Sequence, residues 1–139
     1  MSVSIYCQAH NHGDSQLLAV KDVLTCFEPF IKSIDSSGFH VVYDETNSSH
    51  IFIDQINSTC DSFTINRPCG DKRLYDAIHN CMKLGNVICY TNDGDKFYVT
   101  SLETINHIPH DMKTFVQSES CQLITVASAD EFYHEMLYA

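Results

Sequence analysis

The segment Asp71–Thr100, DKRLYDAIHNCMKLGNVICYTNDGDKFYVT, places a helical pattern directly before a hairpin pattern. Asp71 is a good helix N-cap, and Gly85 is the residue type that commonly follows a helix C-terminus. Apolar residues between them recur at the spacing of one helix face: Leu74, Ile78 and Cys81. Asp93-Gly94 then separates two β-rich runs, which is a strong short-range hairpin signal. The strands predicted on either side of this turn are Val87–Thr91 and Lys96–Thr100.

Upstream of this segment, the patterns predict one helix and four strands. Apolar residues spaced by three and four run from Leu17 to Ile34, with Asp14 or Ser15 as the expected N-cap. Pro29 should kink or end this helix, because it lacks an N–H and its ring clashes with the preceding turn. The predicted strands are Val3–Gln8, Phe39–Tyr43, Ile51–Ile56 and Ser62–Asn66.

Downstream, Ser101–Gln117 is expected to hold a short helix, a break at Pro109 and another helical turn. Leu123–Val126 is the last predicted strand, and Ser128-Ala-Asp-Glu131 fits a capping box that begins a terminal helix. The residues of that helix predicted to face inward are Phe132, Met136 and Leu137. Helices interspersed with hairpins predict an α/β fold of the α+β kind. We expect a single globular domain over residues 1–139, with a mixed or mainly antiparallel sheet and about three helices packed on it.

The composition indicates a folded protein of the cell interior. Hydrophobic residues make up 44% of the 139 residues, which is enough for a sizeable core. No apolar run approaches the roughly 20 residues of a membrane span, and the N-terminus lacks the pattern of a signal peptide. Seven cysteines, an odd number, favour free thiols in a reducing compartment. We therefore expect a cytoplasmic protein without a membrane partner.

Negative charge is the most distinctive property of the chain. Eighteen acidic residues oppose eight basic ones, giving a formal net charge of -10. Such a surface repels nucleic acid and can attract a basic protein by long-range steering. Nine of the acidic residues lie in two stretches that contain no Lys or Arg, Ser33–Asn66 and Thr114–Ala139. Solubility alone is the simpler explanation of the charge, but this distribution favours a basic partner.

The two stretches supply the candidate partner-binding residues. Those of the β-rich stretch are Asp44, Glu45, Asp54 and Asp61, and those of the terminal helix are Asp130, Glu131 and Glu135. Tyr43 is added because a tyrosine beside carboxylates is a good anchor for a Lys- and Arg-rich surface. Tyr90 and Tyr98 are interpreted instead as cross-strand partners in their hairpin.

Eight histidines and seven cysteines raise the question of a metal site. No cysteines form the closely spaced pairs that structural zinc sites use. The close histidine pairs are His10 with His12 and His107 with His110, and neither pair has an obvious third ligand. We therefore expect no metal and no cofactor.

Cys69 is the one candidate for nucleophilic catalysis. It lies just before the predicted helix N-terminus, which can lower the pKa of a thiol, and Arg67 and Arg73 are nearby in sequence. A Cys–His pair would require His79 or His107 to approach it. The simpler interpretation is a structured Pro-Cys-Gly turn whose thiol packs under the helix. Since nucleotide-binding and hydrolase motifs are also absent, we assign no catalytic residue and expect a protein that is not an enzyme.

The stretch Thr64–Ile78, followed by Met82–Tyr90, resembles small immunity proteins of bacterial toxin systems, including those of contact-dependent growth inhibition. The resemblance covers about a fifth of the chain, and these families are diverse in fold, so it implies a function and no topology. The implied function is tight binding to the toxin domain of the same system, often a basic nuclease. No partner-contacting residue can be carried over from it.

The leading hypothesis is therefore an immunity protein that binds and neutralises a basic toxin domain through an acidic surface, either at the toxin's active site or beside it. When free, it should be a monomer or a weak dimer. The alternatives are a small enzyme with a reactive Cys69 and a structural or adaptor subunit of a larger assembly.

Overall fold

A computed structural model describes residues 3–54 and 57–138 of the chain. The described helices are α1 (Val20–Phe27), α2 (Lys72–Met82), α3 (His110–Val116) and α4 (Ala129–Tyr138), with a 3-10 helix at Leu102–Asn106. The described strands are β1 (Ser4–Asn11), β2 (Asp14–Ser15), β3 (Leu18–Ala19), β4 (Ile31–Asp35), β5 (Gly38–Val42), β6 (Ser48–Ile53), β7 (Thr59–Cys60), β8 (Ser62–Asn66), β9 (Val87–Thr91), β10 (Lys96–Val99) and β11 (Gln122–Thr125). The predicted α+β class is confirmed.

Nearly all of the strands belong to one sheet, in the order β11-β10-β9-β1-β8-β6-β5-β4, with β2 paired to the end of β1. Neighbours are antiparallel, except that β10 and β11 are parallel. The central strand β1 places Cys7 opposite Phe63 of β8 on one side and opposite Cys89 of β9 on the other. Strands β3 and β7 form a separate small pair.

Helices α1, α2 and α4 cover one face of the sheet and enclose the main core. Every second residue of β1 is buried against this layer, starting with Ile5 and Cys7, because side chains alternate across a strand. From the helices, Val23, Leu74 and Phe132 are each fully buried in the same core. This arrangement confirms the prediction of helices packed on a mainly antiparallel sheet.

The second face of the sheet is covered at one side only. The 3-10 helix and α3 pack there in a smaller core with Ile88, Phe97 and Val99 of β9 and β10. Beyond it, none of the described helices packs on this face of β1, β8, β6 and β5. Tyr6 lies there, stacked on Tyr90 at 5.3 Å. We call this area the open face of the sheet.

The first helix begins later than predicted, and it ends just before Pro29, which is one of the two outcomes expected at that proline. It begins at Val20, with Ala19 at the N-cap position, while the predicted cap residues Asp14 and Ser15 form β2. It ends at Phe27, two residues before Pro29, and Ile31–Asp35 is a strand. The helical spacing of apolar residues was therefore misleading beyond the proline, where pairing with β5 satisfies the backbone instead.

The other helix boundaries agree with the sequence patterns. The side chain of Asp71 accepts a 2.9 Å hydrogen bond from the N–H of Arg73, which confirms the predicted cap of α2. At α4, the N–H of Glu131 donates to Ser128 Oγ at 3.1 Å, as a capping box requires. Leu137 is an exception, since it is 40% exposed rather than inward-facing. The predicted end of the third strand, Ile56, lies outside the described residues.

The described helices are short, the longest having 11 residues. Among them, none combines the length and the apolar character that a bilayer-spanning helix requires.

The turn between β4 and β5 gives a test of the fold. Gly38 has φ +154°, and a Cβ at this position would overlap the carbonyl oxygen of Ile51 on the neighbouring strand. We expect Gly38→Ala to lower the free energy of unfolding by about 2–4 kcal/mol, because the two strands would have to separate locally. Urea denaturation followed by circular dichroism measures this change.

Gly70→Ala is the matched control. A Cβ at Gly70 would meet no atom within 4 Å, so its effect should stay within about 0.5 kcal/mol. Equal stability of the two variants would contradict the close packing of β5 on β6.

Candidate functional site

The strands divide the loops of the protein between two ends of the sheet. At one end lie the β5–β6 loop (residues 43–47), the β9–β10 turn (residues 92–95), the first turn of α2 and the last turns of α4. We call this the acidic end. The β4–β5 turn and the residues between β6 and β8 lie at the opposite end. Since β6 has six residues, the two ends lie on the order of 17 Å apart.

The candidate acidic residues do not form one surface. Asp44 and Glu45 are exposed in the β5–β6 loop at the acidic end. Asp54 and Asp61 lie at the opposite end, because β6 leads from one end to the other. The four carboxylates that the sequence places in one stretch are therefore separated into two pairs, and only the first pair shares an end with Glu135.

Asp44 also has a structural role. Its Oδ1 accepts hydrogen bonds from the backbone N–H groups of Thr46 and Asn47, both at 2.9 Å. The Asn47 side chain, together with these bonds, holds the pKa of Asp44 below its ordinary value. The carboxylate is thus charged and fixed in position at neutral pH.

The cations that begin α2 are already paired with nearby carboxylates. Lys72 Nζ lies 2.9 Å from Asp76 and 2.7 Å from Asp130, and Arg73 lies 2.8 Å from Asp71. The carboxylate of Asp130, followed by that of Asp76, raises the pKa of Lys72. These exposed pairs add little stability, but they neutralise the positive charge locally. They also involve Asp130, which is thus less available to a partner than the sequence suggests.

Tyr43 is buried, in contrast to its predicted role as a surface anchor. It is 8% exposed, and its ring lies 4.9 Å from that of Phe30. The guanidinium of Arg73 lies over both rings. Burial raises the pKa of Tyr43, whose hydroxyl has no hydrogen-bond partner within the described part of the chain. Tyr43 therefore fills the core and supports Arg73, beneath the surface that a partner would meet.

Glu131 and Glu135 are one turn apart on α4 but have different surroundings. Glu131 is exposed, and its Oε2 accepts a 2.9 Å hydrogen bond from the N–H of Ala127, so it helps to begin the helix. Glu135 lines a cavity of about 400 Å³ between the end of α4, the β9–β10 turn and the start of β1. The polar side chains that line this cavity with it are Asp93, Asp95, Lys96, Thr91, Tyr75 and Tyr98.

The two tyrosines form the buried wall of the cavity. Tyr75 is 2% exposed and Tyr98 is 3% exposed. Burial raises the pKa of Tyr75 to about 12, and burial together with the carboxylates of Glu135 and Asp95 raises the pKa of Tyr98 to about 12. Both phenols are thus protonated at neutral pH, and three carboxylates line the same cavity.

The sequence patterns did not predict this cavity. The two aspartates of the β9–β10 turn were interpreted only as turn residues. Tyr98 was expected to face Tyr90 across the hairpin, but it is paired with Cys89, and Tyr90 is paired with Phe97. This shift of one residue puts Tyr90 against the smaller core on the second face of the sheet and Tyr98 in the main core, because side chains alternate across a strand. The sequence signal that could have indicated the cavity is the pair Asp93 and Asp95 close to Tyr98 of the next strand.

The histidine pairs are partly brought together. His12 and His107 have ring centroids 4.6 Å apart, and His107 Nδ1 accepts a 3.3 Å hydrogen bond from the N–H of His12. Within the described ranges, no three His, Cys, Asp or Glu residues are placed to hold a metal ion.

Cys69 does not meet either of the histidines considered for it. His79 is buried in α2 and its Nε2 lies 3.0 Å from the carbonyl oxygen of Val126, while His107 contacts His12 on the other side of the sheet. The N–H of Cys69 donates to Ser49 Oγ at 2.9 Å, as in a structured turn. The geometry supports the structural interpretation of this cysteine.

A different thiol has the more reactive environment. Cys26 on α1 is half-buried, and its interaction with the neighbouring Cys81 side chain lowers its pKa, outweighing the raising effect of burial. Burial raises the pKa of Cys81 itself. Because the thiolate is the reactive form, Cys26 should be the most reactive cysteine.

Alkylation with iodoacetamide at neutral pH, followed by peptide mass spectrometry, tests this expectation. Cys26 should be labelled first among the seven cysteines, and Cys81→Ala should slow its labelling several-fold by removing the side chain that lowers its pKa. Cys121→Ala, which removes a partly exposed thiol from the other face of the sheet, should not change the rate at Cys26. Faster labelling of Cys69 than of Cys26 would contradict this expectation and would support Cys69 as the nucleophile.

Comparisons with known proteins do not assign this site. No protein-family model, no curated protein and no solved structure matches the chain. The candidate site is therefore interpreted from its own residues, as an acidic end of the sheet that contains a tyrosine-walled cavity.

Proposed function

We propose that this protein is a cytoplasmic immunity protein that binds and neutralises a basic toxin domain through its acidic end. One observation carries the proposal: the cations that begin α2 are paired with local carboxylates, whereas five further carboxylates at the same end take part in none of the ion pairs of the described residues. These are Asp44, Glu45, Asp93, Asp95 and Glu135, which form none of the described ion pairs.

An acidic end of this kind accelerates association with a basic protein. Like charges gathered on one end give a directional field, which raises the rate of productive encounters and falls with ionic strength. The net charge of -10 adds a general attraction to any cationic partner. Neutralisation needs no catalytic group, only a complex that blocks the toxin's active site or covers a surface beside it.

A structural or adaptor subunit is the second candidate, and the open face of the sheet favours it. Phe52 is 42% exposed there, and its ring lies 4.4 Å from that of His50. His50 Nε2 is buried and has no hydrogen-bond partner within the described ranges. An exposed aromatic side chain on a sheet face is typical of a protein interface. Stable monomeric behaviour without any partner would count against this role.

Co-purification with the product of the neighbouring upstream gene tests the proposed function. We expect a complex with it, and we expect the protein to protect cells that express it. Failure of both would remove the immunity hypothesis.

Matched charge variants test which end of the sheet binds. Asp44→Asn with Glu45→Gln and Asp54→Asn with Asp61→Asn each remove two negative charges, from the acidic end and from the opposite end respectively. We expect the first pair to slow association with the toxin domain about tenfold at low salt, because steering depends on charge near the interface. The second pair should change the rate by less than about twofold.

Stopped-flow measurements at several salt concentrations give both rates. A larger effect of the Asp54 and Asp61 variant would move the interface to the opposite end of the sheet. Asparagine at position 44 keeps an oxygen for the bonds from Thr46 and Asn47, so the loop should retain its shape.

A further inference from the structure

We propose that the cavity at the acidic end receives the cationic head of one lysine or arginine side chain from the basic partner. The inference rests on the proposed function and specifies its chemistry. It is drawn from the cavity's charge, from its buried phenols and from its volume.

The charge of the lining selects a cation. Asp93, Asp95 and Glu135 bring three carboxylates to the cavity, and Lys96 brings one ammonium group. Two negative charges therefore remain in excess. An anionic ligand would be repelled, and an uncharged apolar ligand would leave the carboxylates desolvated without partners.

The phenols at the wall of the cavity are the second, independent observation. Tyr75 and Tyr98 are more than nine-tenths buried, and neither hydroxyl hydrogen-bonds to any other residue in the described part of the chain. Because neither phenol oxygen is sealed from solvent, both hydroxyls open into the cavity and are available to bond with a ligand there. Guanidinium and ammonium groups donate several N–H bonds, which phenol oxygens and carboxylates both accept.

The volume fits one side chain. Pockets that hold small ligands have volumes of roughly 300–1,000 Å³, and this cavity, at about 400 Å³, is near the lower limit. Val3, Met136 and Leu137 line it as well and would contact the aliphatic part of a lysine or arginine. Such long side chains bury their methylene groups and place their charge among polar atoms.

A titration that needs no partner protein tests the pocket. The whole chain, with ¹³C-labelled tyrosine rings, is titrated with N-acetyl-arginine amide and, in parallel, with the uncharged isostere N-acetyl-citrulline amide. We expect the ring resonances of Tyr75 and Tyr98 to shift in a saturable way with the arginine probe, with a dissociation constant on the order of 1 mM. Tyr75→Phe and Tyr98→Phe assign the two resonances.

Two variants on α4 provide the matched comparison. Glu135→Gln should weaken binding of the arginine probe about tenfold by removing a charge from the pocket. Glu131→Gln, one turn away and outside the cavity, should leave it unchanged, because glutamine also serves in a capping box. Three results would contradict the proposed cation pocket. They are equal shifts with the citrulline probe, no shift at an arginine-probe concentration on the order of 10 mM, and unchanged probe binding by the Glu135→Gln variant.

The partner complex separates this inference from the proposed function. If Glu135→Gln does not change the affinity for the toxin, the proposed role of the pocket is wrong, and the proposed immunity function is not contradicted. If the probe binds but no toxin complex forms, the pocket binds a cation as proposed, and the cation does not come from a toxin.

Discussion

The burial of β1 in the middle of the sheet is the constraint on which the other features depend. This strand pairs with β8 on one side and with β9 on the other, and Ile5, Cys7 and Ala9 are buried under the helical layer. Because a shift of one residue would turn these side chains to the other face, the core fixes the register of all three strands. That register decides which loops share an end of the sheet and therefore where the acidic end lies.

The acidic end follows from this topology and from local pairing of charges. The β5–β6 loop, the β9–β10 turn and the last turns of α4 are far apart in sequence but share one end of the sheet. The ion pairs of Lys72 and Arg73 remove the positive charge that begins α2. Three of the remaining carboxylates line the cavity beside two buried phenols. That cavity is a specific environment for a cation, whereas net charge alone gives only a general attraction.

Local patterns predicted those elements whose signals do not depend on tertiary contacts. The cap at Asp71, the Asp-Gly turn and the capping box at Ser128 were predicted correctly, because each is satisfied by bonds within a few residues. The first helix begins at Val20 and not near Leu17, and at Pro29 it ends and does not kink. The apolar residues beyond the proline form a strand that pairs with β5. The burial of Tyr43 was not predictable, since it depends on packing with Phe30 and Arg73.

The sequence by itself determined the α+β class, most element boundaries and the excess of negative charge, because these follow from periodicity, turn chemistry and composition. Only the tertiary structure decided which carboxylates lie together. It separated Asp54 and Asp61 from Asp44 and Glu45, and it placed Glu135 beside Asp93 and Asp95. The reason is that a six-residue strand carries the chain from one end of the sheet to the other, so residues close in sequence end far apart, while helix α4 returns distant residues to the same end.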